Sequence, residues 1–290
     1  MLDQRRRTAA IAAGAFFFEK LMKLPISFFA AAALAVCAHA ADPAPAPPAA
    51  KPVRVILVGD STMASNSGYG DAFCARLQRS NTCINLARGG RSSGSFRAEG
   101  RWDEVEGLLR GAAAYRATYV LIQFGHNDQP GKPGRSTDLK TEFPVNMNRY
   151  AQEVKALGGV PVLVTPLTRR TFKDNVLENN LQPWADVIRA TAAAQRVPLL
   201  DLNADSYAAV QAMGQDEADT LAMAPRPEKA AEATPAPAAG KVEVAGAAKS
   251  AFDRTHVGPK GAAFFANMVV EEMKRAVPDS VGMFKREGEQ

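Results

Sequence analysis

The sequence predicts an α/β protein: a three-layer α/β/α sandwich around a five-stranded parallel sheet. Two observations carry this. Five short and almost unbroken apolar runs recur along the chain, at residues 53–58, 83–87, 119–124, 160–165 and 198–202. Hydrophobicity that is continuous and not alternating marks strands covered on both faces. Between the runs lie stretches with helical spacing, at about 69–79, 102–112, 145–157 and 181–196, the alternation of a doubly wound fold. A last helix over about 260–275 closes the domain, which is expected to span 53–277.

The flanks of this domain have other compositions. Lys23 precedes an alanine-rich apolar run over 24–36, and Ala38-His39-Ala40 supplies the small-x-small pattern for cleavage before Ala41. Residues 1–40 therefore read as a secretory signal. A short basic head of the usual kind puts the true start at Met22. The run is too short for a stable membrane span, so the mature chain is expected in the periplasm or outside the cell. Residues 41–52 are a Pro/Ala-rich linker, and 278–290 a C-terminal tail. Residues 216–250 hold Pro225, Pro227, Pro235 and Pro237 among alanines, lysines and glutamates, without apolar period, and are expected to form a low-complexity surface insertion.

Composition excludes some classes. Of the net charge of +5, the first 40 residues carry +3, and what remains does not suit a nucleic-acid protein. A monomer is expected. Cleavage leaves two cysteines, Cys74 and Cys83, in a compartment where disulfides form. Their bond would staple a helix to the next strand for roughly 2–3 kcal/mol on the chain-entropy model; the alternative is two buried thiols. They lack the partnering histidines of a metal site, and no metal or cofactor is expected.

Turn-forming residues that could carry chemistry follow the strands. Gly59-Asp60-Ser61 ends the first, Arg88-Gly89-Gly90-Arg91-Ser92 the second and Phe124-Gly125-His126-Asn127-Asp128 the third, while Asp253-Arg254-Thr255-His256 precedes the last helix. Each alone is ordinary turn or cap chemistry. A parallel sheet, however, brings them to one edge. There a serine hydroxyl needs a base, and imidazole suits neutral pH. The mature chain has two histidines, His126 and His256. His256 has a carboxylate three residues earlier, Asp253, able to orient its ring. His126 competes as base, although its place between Gly125 and Asn127 suits loop positioning or substrate binding better. An oxyanion would find donors in the amides of Ser61 and Gly90 and the side chain of Asn127. Arg91, Arg169 and Arg170 lie on turns after strands and could bind a uronate carboxylate. Trp102 and Trp184 could stack on sugars or fill the core.

Gly59-Asp60-Ser61, Gly90, Gly125-His126-Asn127-Asp128 and Asp253-Arg254-Thr255-His256, in this order, resemble the four sequence blocks of the SGNH, or GDSL-type, hydrolases. The likeness covers about residues 53–277. Gly-Asp-Ser-Thr in place of Gly-Asp-Ser-Leu, Gly90-Arg91-Ser92, Phe-Gly-His-Asn-Asp, and Pro259-Lys260-Gly261 after the last block make the chain most similar to the rhamnogalacturonan acetylesterases. The resemblance implies a flavodoxin-like SGNH fold, with Ser61 as nucleophile, His256 as base and then acid, and Asp253 orienting it. It also implies an oxyanion hole from the Ser61 and Gly90 amides with Asn127, and metal-free removal of acetyl groups from pectic rhamnogalacturonan, so that the partner is an acetylated polysaccharide or oligosaccharide. The insertion at 216–250 departs from the family pattern and leaves the substrate open to other SGNH specificities: acetylxylan, a lysophospholipid or a thioester. From another class, a non-catalytic carbohydrate-binding envelope protein would use the Pro/Ala segments as spacers.

Overall fold

Five parallel strands make the central sheet of the structure, a computed structural model that describes residues 51–227, 252–286 and 288. β1 (Val53–Gly59) pairs with β2 (Thr82–Asn85) on one side and β3 (Ala117–Gln123) on the other. β4 (Val160–Val164) continues from β3. A small antiparallel hairpin of β5 (Phe172–Lys173) and β6 (Val176–Leu177) intervenes before β7 (Leu199–Leu200), which pairs with β4 at the edge. The order β2-β1-β3-β4-β7 is the 2-1-3-4-5 order of flavodoxin-like sheets. The expected signal segment and most of the expected linker lie outside the described residues.

The helices are α1 (Gly70–Cys74), α2 (Ser93–Ala98), α3 (Arg101–Leu109), α4 (Glu142–Ala156), α5 (Gln182–Gln195), α6 (Leu202–Asp219) and α7 (Pro259–Ala276). Successive strand residues point to opposite faces. Val53, Val55 and Leu57 of β1 pack with Phe73, Val210, Phe265 and Val269 under α1, α6 and α7. Ile56 and Val58 pack with Phe96, Val105, Met147 and Ile188 of α2, α3, α4 and α5. Both faces of β1 are thus buried, and each such aliphatic side chain contributes roughly 1.5–3 kcal/mol. Arg54, 4% exposed, reaches an edge of the second layer, where its Nη2 donates to the Leu108 carbonyl at 2.7 Å and its guanidinium stacks on Tyr115.

Several boundaries differ from expectation, each for a local reason. α1 stops at Cys74, short of residue 79, because the following backbone bonds the C-terminal segment instead: Gln78 N–H donates to Met283 O at 2.9 Å and Lys285 N–H to Arg76 O at 2.8 Å. The expected tail is therefore partly body, with Met283 and Phe284 buried. A disulfide joins Cys74 at the end of α1 to Cys83 of β2. The expected insertion begins too early as well. Residues 216–219 complete α6, Ala218 and Leu221 are buried, and Ala222 bridges to Val257. Residues 228–250 of that insertion lie outside the described residues. α6 itself was not expected: its apolar face is thin, with Leu202, Val210 and Ala218 among polar residues, and Gly214 breaks it at φ 73°.

Glu272 on α7 is 4% exposed, and neither of its carboxylate oxygens has a well-aligned partner among the described residues. Burial, with Asp205 and Asp201 nearby and Arg275 opposing them, pushes its pKa to about 8 from the ordinary 4.5. The folded protein thus holds a proton that the unfolded chain releases, so stability drains as pH rises from 4.5 towards 8. Glu272→Gln should remove this slope. Between pH 4 and pH 8.5 the stability difference should move in the variant's favour by roughly 2–4 kcal/mol, measured by urea unfolding at each pH; parallel profiles would refute it.

Candidate active site

The C-terminal edge of the sheet collects the turns after β1, β2 and β3 and the loop before α7. Asp60 shapes the first turn: its buried Oδ1 accepts the Thr62 N–H at 2.9 Å and the Thr62 hydroxyl at 2.8 Å. Ser61 is left part-exposed at the apex. A buried relay stiffens the turn from below, with Gln123 Nε2 donating to Thr62 Oγ1 at 2.6 Å and Tyr69 OH to Gln123 Oε1 at 2.7 Å.

Ser61 Oγ lies 2.7 Å from Nε2 of His256. The other ring nitrogen, Nδ1, lies 3.0 Å and 3.1 Å from the two oxygens of Asp253. Oδ1 of Asp253 also accepts the N–H groups of Thr255 and His256, both at 2.7 Å. Burial alone would raise this carboxyl; the bonds and charge of His256 and the Thr255 amide outweigh it and hold the pKa near about 2. Asp253 is thus an anion at any pH where imidazole can act as a base, and it fixes Nδ1 as the protonated nitrogen, leaving Nε2 free to accept from Ser61. The loop is tied to the turn of Ser61 a second way. Val257 N–H donates to Ser67 O at 3.0 Å, and Ser67 Oγ to Ser61 O at 2.7 Å.

The other residues expected to supply oxyanion donors lie on the turns after β2 and β3. Arg88 N–H donates to Gly59 O at 2.9 Å, drawing the glycine turn against the end of β1. A Cβ placed on Gly89 would sit 3.7 Å from Cβ of Ser61. Gly90 has φ 78°, a left-handed conformation that L side chains adopt at a cost. Asn127, 3% exposed, gives one amide hydrogen to Arg91 O at 3.0 Å. Its Oδ1 lies 3.4 Å from Nη1 of Arg135, which sets the amide's orientation. Gly125, at φ 140°, lets the third turn pass Pro166, where a Cβ would come within 3.1 Å of Cγ.

Asp128 binds the second and third turns together. It accepts Ser93 N–H at 3.0 Å, Ser93 Oγ at 2.6 Å, Thr137 Oγ1 at 2.9 Å and Gly125 N–H at 3.0 Å. Burial raises its pKa to about 6 against the lowering by Ser93 and Thr137. Sequence reasoning gave Asp128 no role, nor Arg135, Thr62 or Gln123. The signals available were the acidic residue closing Gly-His-Asn-Asp and the threonine after Ser61.

Other expected residues are placed differently. His126 is buried, with Nδ1 3.3 Å from Oδ2 of Asp60; burial lowers its pKa, with the charge and hydrogen bonding of Asp60 opposing. It neither contacts Ser61 as a base nor reaches solvent as a substrate ligand. Arg170 is fully buried and bonds backbone carbonyls, which removes it as a ligand for a uronate. Trp102 and Trp184 are core residues, 2% and 7% exposed, and cannot stack on sugars. Arg91 spans the glycine turn, bonded to Glu99 and to Gly89 O, and Arg169 bonds Asn180; both stay part-exposed. Among the described residues no cluster of His, Cys, Asp or Glu is placed to hold a metal ion, and no helix is long and apolar enough to cross a membrane.

Residues 57–228 match the model of the GDSL-like Lipase/Acylhydrolase family. The chain is 31% identical over 250 residues to rhamnogalacturonan acetylesterase RhgT of Bacillus subtilis (strain 168), covering 83% of this chain and 98% of that one. Among solved structures, protein YXIM of Bacillus subtilis superposes with a TM-score of 0.58 at 23% identity, over 81% of this chain and 59% of the other. A catalytic mutant of Axe2, an acetylxylan esterase from Geobacillus stearothermophilus, superposes with a TM-score of 0.52 at 16% identity, over 77% of this chain and 95% of the other. Both likenesses are of fold.

Asp128→Ala would leave buried donors of Ser93, Thr137 and Gly125 without an acceptor. Stability should fall by roughly 2–4 kcal/mol, and hydrogen exchange should speed up first at residues 89–95 and 125–128. Uniform protection across the sheet edge would argue against Asp128 as the clamp.

Proposed function

The chain belongs to the GDSL-like lipase/acylhydrolase family and is a carboxylic ester hydrolase, and we propose that it is an exported acetylesterase acting on pectic rhamnogalacturonan. One observation carries the chemistry: the Ser61 hydroxyl lies 2.7 Å from an imidazole whose far nitrogen rests on a carboxylate.

In this reading Ser61 Oγ attacks the acetyl carbonyl carbon as His256 Nε2 takes its proton. The carbonyl oxygen becomes an oxyanion, received by the N–H groups of Ser61 and Gly90 and the side-chain amide of Asn127. His256 then returns the proton to the departing sugar oxygen, leaving an acetyl group on Ser61. Water attacks that ester as His256 takes its proton, the bond from carbon to Ser61 Oγ breaks, and His256 returns the proton to Oγ as acetate is released. Asp253 keeps the ring in the reactive tautomer and stabilises the imidazolium formed in each half. Likeness to RhgT along nearly its whole length supports the pectic substrate. The part-exposed Arg91 and Arg169 are the guanidinium groups it offers to a uronate carboxylate. Export is supported by the signal-like residues 1–40 and by the Cys74–Cys83 disulfide.

Ser61→Ala should abolish acetate release from acetylated rhamnogalacturonan with an unchanged melting temperature; residual turnover near wild type would refute the nucleophile. Asp253→Asn should lower kcat by about 10⁴-fold through the wrong imidazole tautomer, with KM little altered, and an unchanged rate would remove Asp253 from the mechanism. Mass spectrometry of acetylated rhamnogalacturonan and xylan fragments after treatment separates the pectic substrate from its alternatives: loss of acetyl from xylan alone overturns the substrate assignment.

A further inference from the structure

The loop that carries Asp253 and His256 turns all four of its carbonyls towards a single residue. Arg170, in the loop after β4, is 0% exposed. Its Nη2 donates to His256 O at 2.7 Å and to Asp253 O at 3.1 Å. Its Nη1 lies 3.5 Å from Thr255 O, and its backbone N–H donates to Arg254 O at 2.8 Å. Residues 253, 254, 255 and 256 are thus each held at the carbonyl by one residue that is 83 to 86 positions away in sequence.

The carbonyls of Asp253, Thr255 and His256 converge on the guanidinium, and carbonyls so gathered repel one another, since each presents the negative end of its dipole. A buried cation at the focus reverses that. A guanidinium offers a rigid planar fork able to serve several acceptors at once. Arg170 is itself fixed from behind: Gln215 Nε2 donates to its carbonyl at 3.2 Å, and Thr168 N–H to Ser206 Oγ at 3.1 Å. The side chain of Arg254 is fixed separately, paired with both oxygens of Asp219 at 2.9 Å and 3.1 Å. Held in this way, the loop presents Nε2 of His256 to Ser61 with the Asp253 carboxylate behind the ring at Nδ1.

We infer that Arg170 is a positioning residue for the reaction: by gathering the carbonyls of residues 253–256 it sets the curl of the loop and therefore the approach of His256 to Ser61. This rests on the proposed roles of Ser61 and His256. A displacement of the order of 1 Å in a reacting group costs about 100-fold in rate, so the loop's curl and the rate are directly linked.

The test compares wild type, Arg170→Lys, Arg170→Ala and a distal core variant, Val105→Ala, whose side chain is buried on the opposite face of the sheet. Each is assayed for kcat and KM on p-nitrophenyl acetate and for the rate at which a fluorophosphonate labels Ser61, at a temperature equally far below its own melting point. Arg170→Lys should lose roughly 10- to 100-fold in both kcat and labelling rate, with KM within about twofold, while Val105→Ala keeps both rates. Guanidinium chloride at millimolar concentration should restore part of the activity of Arg170→Ala, and sodium chloride at equal ionic strength should not. Wild-type rates in Arg170→Lys, or a loss shared by Val105→Ala, would overturn the inference. Failure of both Arg170 variants to fold would also overturn it, in favour of a purely scaffolding role. Absence of labelling in wild type would instead overturn the proposed function itself, whatever the Arg170 variants do.

Discussion

A proton can pass between Ser61 and His256 only while two atoms, 195 positions apart in sequence, stay 2.7 Å from each other. Neither residue can secure this alone, because each sits on a short loop. The order of the sheet does the coarse work, bringing the ends of β1, β2 and β3 to one edge. The remaining precision comes from buried polar groups that bond loops to one another. Ser67 links the turn of Ser61 to Val257 through its main chain, Asp128 joins the second and third turns, and Arg170 gathers the loop of Asp253 and His256.

These tethers share a physical logic. Asp128 and Arg170 are charged side chains withdrawn from water, which is costly unless their hydrogen bonds are met. Because they are met by atoms of a different loop, breaking the arrangement would strand buried donors and acceptors at several places at once. Glu272 stands apart, since it is buried without such partners and answers by retaining its proton. The sheet edge is therefore tied down where charge is paired across loops, and Ser61 is left part-exposed among those ties.

The parts of the fold legible in sequence were those written as uniform hydrophobicity. Residues 53–58 and 119–124 read as buried strands because neither face of them meets water. α6 escaped because its helix is interrupted at Gly214 and its polar residues serve buried bonds, such as those of Asn203 and Ser206. The β5–β6 hairpin escaped although its two-residue turn, Asp174-Asn175 with φ 50° and 64°, has the composition such turns require. At the site, residues whose chemistry is local in sequence were readable, as with the carboxylate three positions before His256. Arg170 was misread as a ligand because an arginine after a strand looks the same from sequence whether it faces solvent or a ring of carbonyls. Only its burial distinguishes the two.

Where the chain departs after Arg226 and where it returns at Phe252 are neighbouring places. Arg226 and Arg254 both bond the carboxylate of Asp219, and Ala222 bridges to Val257. One buried carboxylate therefore serves both segments, and its loss would release the two arginines together.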